Sequence, residues 1–322
     1  MRVVADSDLD GLMAAAVLKA SKPEIEVHFA HPALLRSGNL DHLIDRQTAI
    51  CDLPFHKDCG LYLDHHLTNR PTHEEEVEFE STGGICHWRD TPSAARAAYD
   101  LMKDELDLSH LEEVMPIVDA LDSGGISLQE FMEDGPIIRL SRSLSMTDAE
   151  HMQEVMQQFA SGMELEDILE SHKSRLDALK EEREIIAGIV RNRTKIIDGL
   201  AICDLSETGH RSNGYLVTAL AGSDAIACCV IHGYMDGSIE DVNRPALGAS
   251  FYANSFREED NPYDLSILAT LLDDTGGGHA NACGCRIQPS DGSKRKLIHG
   301  DKESNLENWI EKWSKRDSEM KR

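Results

Sequence analysis

Three short apolar runs within the first 64 residues each end on an aspartate. The runs are residues 3–5 before Asp6, residues 49–51 before Asp52, and residues 61–63 before Asp64. Continuous apolar runs of this length indicate strands that are buried on both faces. Residues 12–20 form an Ala/Leu-rich helix candidate before a fourth strand-like run, residues 27–30. Strand–helix–strand order predicts a parallel sheet, and ligands bind such sheets where the strands end, so these carboxylates are expected to share one edge.

The length of 322 residues exceeds what one ordinary α/β core needs, which predicts two domains. Residues 147–190 contain two amphipathic helices, and strand and helix patterns alternate again after them. We therefore predict an α/β fold with an N-terminal parallel-sheet domain and a smaller C-terminal α/β domain. The predicted parts are a first domain at 1–165, a helical linker at 166–195, a second domain at 196–315 and a tail at 316–322.

The charge and the cysteines narrow the classes of function. The chain has 32 Lys and Arg against 58 Asp and Glu, a net charge of −26, which disfavours binding to long duplex nucleic acid. Its eight cysteines include no C-x-x-C pair, so neither a disulfide framework nor a zinc ribbon is indicated. Reduced thiols, and the absence of an apolar run long enough to span a membrane or of a signal peptide, predict a cytoplasmic protein without a membrane partner.

The richest cluster of carboxylates lies where the first strand ends. Asp6, Asp8 and Asp10 alternate along the chain, and Gly11 permits a tight entry into the following helix. Clustered carboxylates repel one another unless cations lie between them, and hard divalent ions prefer oxygen ligands. The alternative is a helix N-terminus that carries favourable acids. His65 and His66, directly after the strand-terminal Asp64, favour the metal site because they add imidazole ligands at the same predicted edge.

These motifs resemble those of the DHH phosphoesterases. The resemblance rests on Asp8-x-Asp10-Gly11, Asp52, Asp64-His65-His66 and a downstream aspartate within residues 118–124. A glycine-rich run, residues 276–284, is similar to the signature of the DHH-associated domain. The match spans residues 6–284, with residues 130–250 left unaligned.

The resemblance implies a two-metal site with two Mn²⁺, for which Mg²⁺ or Co²⁺ are possible substitutes. If the family's metal-binding positions are transferred to the matching residues, one ion would be held by Asp6, Asp8 and Asp52. The other would be held by Asp10, Asp52, His65 and Asp122. Mixed carboxylate and imidazole ligands suit manganese better than magnesium. Asp64 would orient its neighbours and His66 would contact the phosphate. Asp119 competes with Asp122 for the fourth motif; the Ser-Gly-Gly that follows favours Asp122.

The resemblance assigns substrate binding to the second domain. Backbone amides of Gly276, Gly277 and Gly278, opening onto a helix from His279, would hold a second phosphate or carboxylate, although the glycines could also form a plain flexible loop. The family's arginine position is matched by Arg257 or, nearly as well, by Tyr252.

The predicted function is manganese-dependent phosphohydrolysis. The substrate would be a short phosphate chain, as for an exopolyphosphatase, or a short oligonucleotide, as for an exonuclease. The alternative is a catalytically inactive protein that senses a nucleotide or phosphate. A homodimer is one option for the oligomeric state, which the sequence leaves open.

Overall fold

The computed structural model describes residues 1–233, 247–295 and 297–322. The chain divides into two compact units, Met1–Lys180 and Glu181–Arg322. This division falls within residues 166–195, where a helical linker is predicted. Each unit contains its own sheet, so the predicted two-domain α/β fold is confirmed.

Unit 1 is built on a parallel sheet with the strand order β2-β1-β3-β4-β5. Its strands are β1 (Arg2–Asp6), β2 (Glu26–Ala30), β3 (Thr48–Cys51), β4 (Leu61–Asp64) and β5 (Ile85–Trp88). The apolar residues of β1 and β3 are fully buried because these two strands lie inside the sheet. The edge strand β5 was not predicted. Its sequence, Ile85-Cys86-His87-Trp88, is interrupted by a histidine and lacks the continuous apolar run of the inner strands.

Nine α-helices lie wholly within unit 1. They are α1 (Leu9–Ser21), α2 (Pro32–Arg36), α3 (His73–Ser81), α4 (Ala94–Met102), α5 (Met115–Asp122), α6 (Leu128–Glu133), α7 (Pro136–Ser143), α8 (Ala149–Ala160) and α9 (Leu165–Ser171). A tenth helix, α10 (Lys173–Arg193), runs from unit 1 into unit 2. The central helix α1 is almost entirely buried, which its Ala-rich sequence allows without crowding. It begins three residues earlier than predicted because the Asp8 carboxylate caps it by accepting from the Gly11 amide at 3.0 Å.

Two sequence predictions about the helices were wrong in detail. The sequence Thr91-Pro92 predicts Thr91 as the cap of α4, but the cap is Ser93, whose hydroxyl accepts from the Arg96 amide. Residues 147–190 hold three helices instead of two, since the turn after Ala160 and a break at His172 separate α8, α9 and α10.

Unit 2 contains a mixed six-stranded sheet with the order β10-β11-β9-β8-β7-β6. Its strands are β6 (Thr194–Ile197), β7 (Leu200–Asp204), β8 (Ala227–His232), β9 (Gly248–Ala253), β10 (Gly277–His279) and β11 (Ala282–Arg286). Its other helices are α11 (Gly214–Ala221), α12 (Ser266–Thr270), α13 (His299–Ser314) and α14 (Arg316–Glu319). Strands β7 and β8 are parallel, and the other pairs are antiparallel. The alternating pattern of the sequence also predicts a segment at residues 246–252, of which Ala246 lies outside the described residues.

The helix that was expected to start at His279 does not form. His279 instead ends β10, which pairs with β11 in an antiparallel hairpin. The physical reason is that every second residue after the hairpin faces the core of unit 2. Cys283 is buried against Phe251, and Cys285, two positions later, packs against the same core. Burial of every second residue is the pattern of a strand, and the prediction of a helix from His279 did not take it into account.

Candidate metal centre

The candidate ligands lie at the carboxyl ends of neighbouring strands. Asp6 is the last residue of β1, and Asp8 and Asp10 follow where α1 begins. Asp52 follows β3, and His65 follows β4. Strands β1, β3 and β4 are consecutive in the sheet, so the chain places these side chains at one edge.

The structure brings the candidates together in groups that correspond to the two implied sets, except that Asp52 is not grouped with Asp10 and Asp122. One donor atom each of Asp6, Asp8 and Asp52 lies within 4.8 Å of the other two, and the same holds for Asp10, His65 and Asp122. Asp52 also forms such a group with Asp64, His65 and His66. These spacings fit ligands that surround cations at about 2.0–2.6 Å. Their roles as metal ligands stay predictions.

Asp10 is oriented by the N-terminus of α4. Its two carboxylate oxygens accept from the backbone amides of Ala94 and Ala95, each at 2.7 Å. Free amides at a helix N-terminus favour negative charge, so α4 holds this buried carboxylate in one orientation.

His65 is oriented by a backbone carbonyl. Its Nδ1 atom lies 3.0 Å from the oxygen of Thr91, which can only accept, so Nδ1 carries the proton. In the neutral ring Nε2 is then left with its lone pair. That atom lies 3.0 Å from Asp122 Oδ2 and 3.7 Å from Asp10 Oδ2. A carbonyl partner behind the ring is the usual support of a metal-binding histidine.

Two buried atoms of the cluster lack a hydrogen-bond partner among the described residues: Asp52 Oδ1 and His65 Nε2. Although Nε2 approaches Asp122 closely, the two atoms do not have hydrogen-bond geometry. Lone pairs that face each other in a buried place repel unless a proton or a cation lies among them. This donor set therefore fits divalent cations.

The carboxylate pKa values reflect the same crowding. Burial, followed by the charge of Asp8, raises the pKa of Asp6 to about 6. Burial and the charge of Asp122 raise the pKa of Asp10 to about 8, and burial with Asp10 and Asp8 holds the pKa of Asp52 well above its usual range. Burial alone would lower the pKa of His65, but Asp122 and Asp10 outweigh it and raise the value to about 9. Without cations, the cluster therefore retains protons near neutral pH.

Asp64 anchors the histidine pair. It is fully buried, and its Oδ1 accepts from the backbone amides of His65 and His66 and pairs with Nδ1 of His66 at 3.0 Å. Its other oxygen accepts from the hydroxyl of Tyr62 at 2.7 Å. Burial would raise the pKa of Asp64, but these hydrogen bonds lower it. The His66 side chain remains 44% exposed, so its second nitrogen is accessible to a ligand.

The two candidates for the fourth motif have different surroundings. Asp119 accepts from the Ser93 hydroxyl at 2.7 Å and from two guanidinium nitrogens of Arg96 at 3.0 and 2.6 Å. Asp122 instead approaches His65. The geometry thus favours Asp122, because Asp122 forms a candidate ligand group with Asp10 and His65 whereas Asp119 forms an ion pair with Arg96.

The predicted substrate residues lie in unit 2. Gly276 precedes β10, which contains Gly277, Gly278 and the exposed His279. A Cβ on Gly276 would lie 2.2 Å from the carbonyl oxygen of Ala269, and Gly278 has a φ of 135°. The close approach and this backbone conformation each require glycine, so the hairpin itself accounts for part of the glycine-rich run.

Tyr252 and Arg257 differ in their relation to this hairpin. His279 is paired with Ala282, and Ala282 with Tyr252, so the three residues share one face of the sheet. Arg257 lies beyond the end of β9, where its guanidinium donates to the carbonyl of Ser223 and pairs with Glu259. Register therefore aligns Tyr252, not Arg257, with His279.

Sequence reasoning missed the residues that orient the ligands. These are the Ser93 cap that begins α4, the amides of Ala94 and Ala95 and the Thr91 carbonyl. A Ser directly before the Ala-rich run could have been recognised as a helix cap. Backbone amides and carbonyls leave no trace in a sequence, so their contacts could not have been found.

Comparisons with known proteins identify the fold. No protein-family model and no curated protein matches the chain. Among solved structures, the pGpG-specific phosphodiesterase PggH from Vibrio cholerae is similar with a TM-score of 0.76 and 19% identity, over 98% of this chain and 99% of that one. RecJ from Thermus thermophilus in complex with Mg²⁺ is similar with a TM-score of 0.51 and 12% identity, over 100% of this chain and 50% of RecJ.

At these identities the likeness shows the fold alone: over nearly its whole length the chain has the fold of the solved phosphodiesterase, as the resemblance implies. Acidic and histidine side chains that could bind metal are present at the edge where the motifs predicted them. Within the described residues no helix is long and apolar enough to cross a membrane.

Proposed function

We propose that this protein is a metal-dependent phosphodiesterase that hydrolyses short oligonucleotides at the candidate metal centre. The observation that carries the proposal is the pair of buried atoms without partners, Asp52 Oδ1 and His65 Nε2, in the middle of a carboxylate cluster. A binding protein that had lost activity would be expected to have lost ligands, and all the candidates are present.

The residues of the candidate metal centre would have the following roles in hydrolysis. Asp6, Asp8 and Asp52 would hold one divalent cation, and Asp10, Asp52, His65 and Asp122 the other, with manganese favoured by the mixed donor set. Such a pair of ions supplies a water of lowered pKa and neutralises charge on the phosphoryl oxygens. Asp64 would keep His66 in place, and the hydrogen bond that His66 Nδ1 donates to Asp64 raises the pKa of His66 and so favours the imidazolium. The exposed Nε2–H of His66 would then donate to a phosphate oxygen.

Two observations favour a short oligonucleotide over a phosphate chain. PggH, which is similar over nearly the whole length of both chains, is named as specific for the dinucleotide pGpG. In unit 2, the ring of Tyr215 lies 5.9 Å from that of Tyr252 and 6.4 Å from that of Phe256. Aromatic side chains stack on nucleobases, whereas polyphosphate offers them nothing to bind.

The test is hydrolysis by metal-stripped protein that is resupplied with Mn²⁺, Mg²⁺ or Co²⁺. The substrates would be a linear dinucleotide, a five-nucleotide RNA, a cyclic dinucleotide, polyphosphate and pyrophosphate, with products identified by mass spectrometry. We expect the linear dinucleotide and the short RNA to be cleaved at the highest kcat/KM. Faster cleavage of polyphosphate would make this an exopolyphosphatase. If no substrate is cleaved with any metal, the sensing alternative replaces the proposal.

The variant Tyr215→Ala tests whether the substrate carries a base that stacks on this ring. Tyr215 is 40% exposed, so its loss should not affect folding. We expect KM for the dinucleotide to rise about tenfold, as loss of a base-stacking ring costs roughly 1–3 kcal/mol. Hydrolysis of pyrophosphate, which has no base, should be unchanged. Equal effects on both would remove the aromatic residues from substrate binding.

A further inference from the structure

Two buried histidines lie together away from the motifs of the candidate metal centre. His151 is in the first turn of α8, and His172 directly follows α9. Their side chains are 4% and 7% exposed, and their rings meet edge to face with centroids 4.9 Å apart. The proposed phosphodiesterase chemistry does not use either residue.

A chain of hydrogen bonds determines which nitrogen of His172 carries the proton. The hydroxyl of Ser171 donates to the carbonyl of Ile168 at 2.8 Å, so its oxygen accepts from Nε2 of Gln158 at 3.2 Å. This orients the amide so that Gln158 Oε1 faces Nε2 of His172 at 2.8 Å. An amide oxygen can only accept, so Nε2 carries the proton and Nδ1 of the neutral ring keeps its lone pair.

The same reasoning applies to His151. The hydroxyl of Ser143 donates its one hydrogen to the carbonyl of Leu140 at 2.6 Å. Its oxygen must then accept from Nε2 of His151, which lies 2.8 Å away. Both rings are therefore held as the Nε2–H tautomer, each by a polar group behind it, and each has an unprotonated Nδ1.

Glu154 completes the set of donors. It follows His151 by three residues on α8, close to one helical turn, and a carboxylate oxygen of Glu154 lies within 4.8 Å of a ring nitrogen of each histidine. Burial, followed by the charge of Arg175, lowers the pKa of His151, and burial also lowers that of His172, so both rings are neutral near pH 7. Arg175 itself pairs with Asp148 at 2.8 Å, which offsets its charge.

We propose that His151, Glu154 and His172 form a second metal site, selective for a transition-metal ion such as Zn²⁺. Two imidazoles and one carboxylate are a donor set of zinc sites in proteins, and water or another ligand fills the remaining position. The hard ions Mg²⁺ and Ca²⁺ prefer oxygen ligands and are not expected here. The ion would join α8 to the end of α9. The proposal does not depend on the function of the carboxylate cluster.

The first test counts zinc ions per chain after chelator treatment and equilibrium dialysis against Zn²⁺. Glu154 is exposed, so Glu154→Gln should fold normally, and Glu150→Gln, an exposed glutamate on the same helix, is the matched control. We expect the wild type and Glu150→Gln to bind one more zinc than Glu154→Gln and His172→Ala at the same free zinc concentration. Equal zinc content in the wild type and Glu154→Gln would overturn the proposal.

The second test observes the rings directly by ¹⁵N-detected NMR of histidine in the full chain. Without metal, both rings should show the Nε2–H tautomer. On addition of Zn²⁺ both Nδ1 resonances should shift while the Nε2–H protons remain. Zinc should also raise Tm by roughly 5–10 °C more in the wild type than in Glu154→Gln at about 100 times Kd. An Nδ1–H tautomer, or Nδ1 resonances that zinc leaves unchanged, would show an ordinary buried histidine pair instead.

Discussion

At the scale of single residues, the candidate metal centre depends on Asp52. Its carboxylate is 3% exposed, and its backbone has a φ of 57°, a conformation in which Asp and Asn are the most tolerated residues besides glycine. It is also a member of two of the candidate ligand groups. One side chain thus connects the Asp6–Asp8 group with the histidines, which is the geometry expected of a bridging ligand.

Asp52→Asn should lower kcat by at least about 100-fold, a loss of roughly 2.7 kcal/mol in transition-state stabilisation, because both proposed ions lose a ligand. The metal-free variant should be more stable than the metal-free wild type. A carboxyl whose folded pKa lies above its unfolded value destabilises the protein increasingly as pH rises between the two values. The gain in Tm in chelator should therefore be larger at pH 8 than at pH 5.

The exposed Asp58 is the matched control, since Asp58→Asn changes an aspartate in the same loop region. It should alter neither kcat nor Tm. An Asp52→Asn variant that keeps more than about a tenth of wild-type turnover would exclude the bridging role.

Substitution of Asp122 should affect metal binding, whereas substitution of Asp119 should affect the free energy of unfolding. Asp122→Asn should weaken Mn²⁺ binding at least tenfold, because its carboxylate approaches His65 Nε2. Asp119→Asn should leave Mn²⁺ affinity nearly unchanged but cost about 1–3 kcal/mol of stability, since Arg96 and Ser93 lose a charged partner. Calorimetric titration and urea unfolding of both variants would measure this. The reverse pattern would assign the fourth motif to Asp119.

At the scale of the elements, the position of α1 depends on one close contact with β1. A Cβ on Gly11 would lie 2.5 Å from the carbonyl oxygen and 2.7 Å from the nitrogen of Asp6. The backbone of Asp6 cannot move aside as a flexible side chain could. Any larger residue at position 11 must therefore displace the start of α1. Because Asp8 and Asp10 lie in that segment, the glycine controls how closely they approach Asp52.

Gly11→Ala should therefore lower both stability and activity, with an expected loss of more than about 2 kcal/mol on urea unfolding. Gly188→Ala is the control: Gly188 lies inside α10 and has no atom within 4 Å of an added Cβ. That substitution should stabilise the protein by about 0.5–1 kcal/mol through helix propensity. A fully active and stable Gly11→Ala variant would contradict the close packing of α1 on β1.

At the scale of the whole molecule, the candidate ligands and the candidate substrate residues belong to different units. All six proposed metal ligands lie in unit 1, whereas the glycine-rich hairpin and His279 lie in unit 2. Metal binding and substrate binding should therefore respond to different substitutions.

His279→Ala should leave Mn²⁺ stoichiometry and affinity unchanged and lower kcat/KM for a dinucleotide with a terminal phosphate. A small chromogenic phosphodiester without a second anionic group should be cleaved at nearly the wild-type rate. Calorimetry with Mn²⁺ and kinetics on both substrates provide the measurements. Loss of metal binding, or an equal loss on both substrates, would place His279 in the metal centre or in catalysis.

The amino-acid sequence by itself determined the α/β class, the two-domain organisation and the position of the candidate ligands. Buried strands are recorded as apolar runs, and parallel strands end at one edge of a sheet, so the aspartates after residues 5, 51 and 63 had to lie near one another. These features are local in the chain, or follow from topology alone.

Only the tertiary structure decided which side chains face the cluster and what orients them. Residue spacing places both Asp119 and Asp122 near the site, and the Ser-Gly-Gly that follows favours Asp122. The structure adds the contacts that distinguish them, those of Asp119 with Arg96 and Ser93 and that of Asp122 with His65. The tautomer of His65 follows from a carbonyl 26 positions away, and those of His151 and His172 from Ser143 and Gln158. Hydrogen bonds act between atoms that folding brings within about 3 Å, whatever their separation along the chain, and sequence patterns carry no record of that distance.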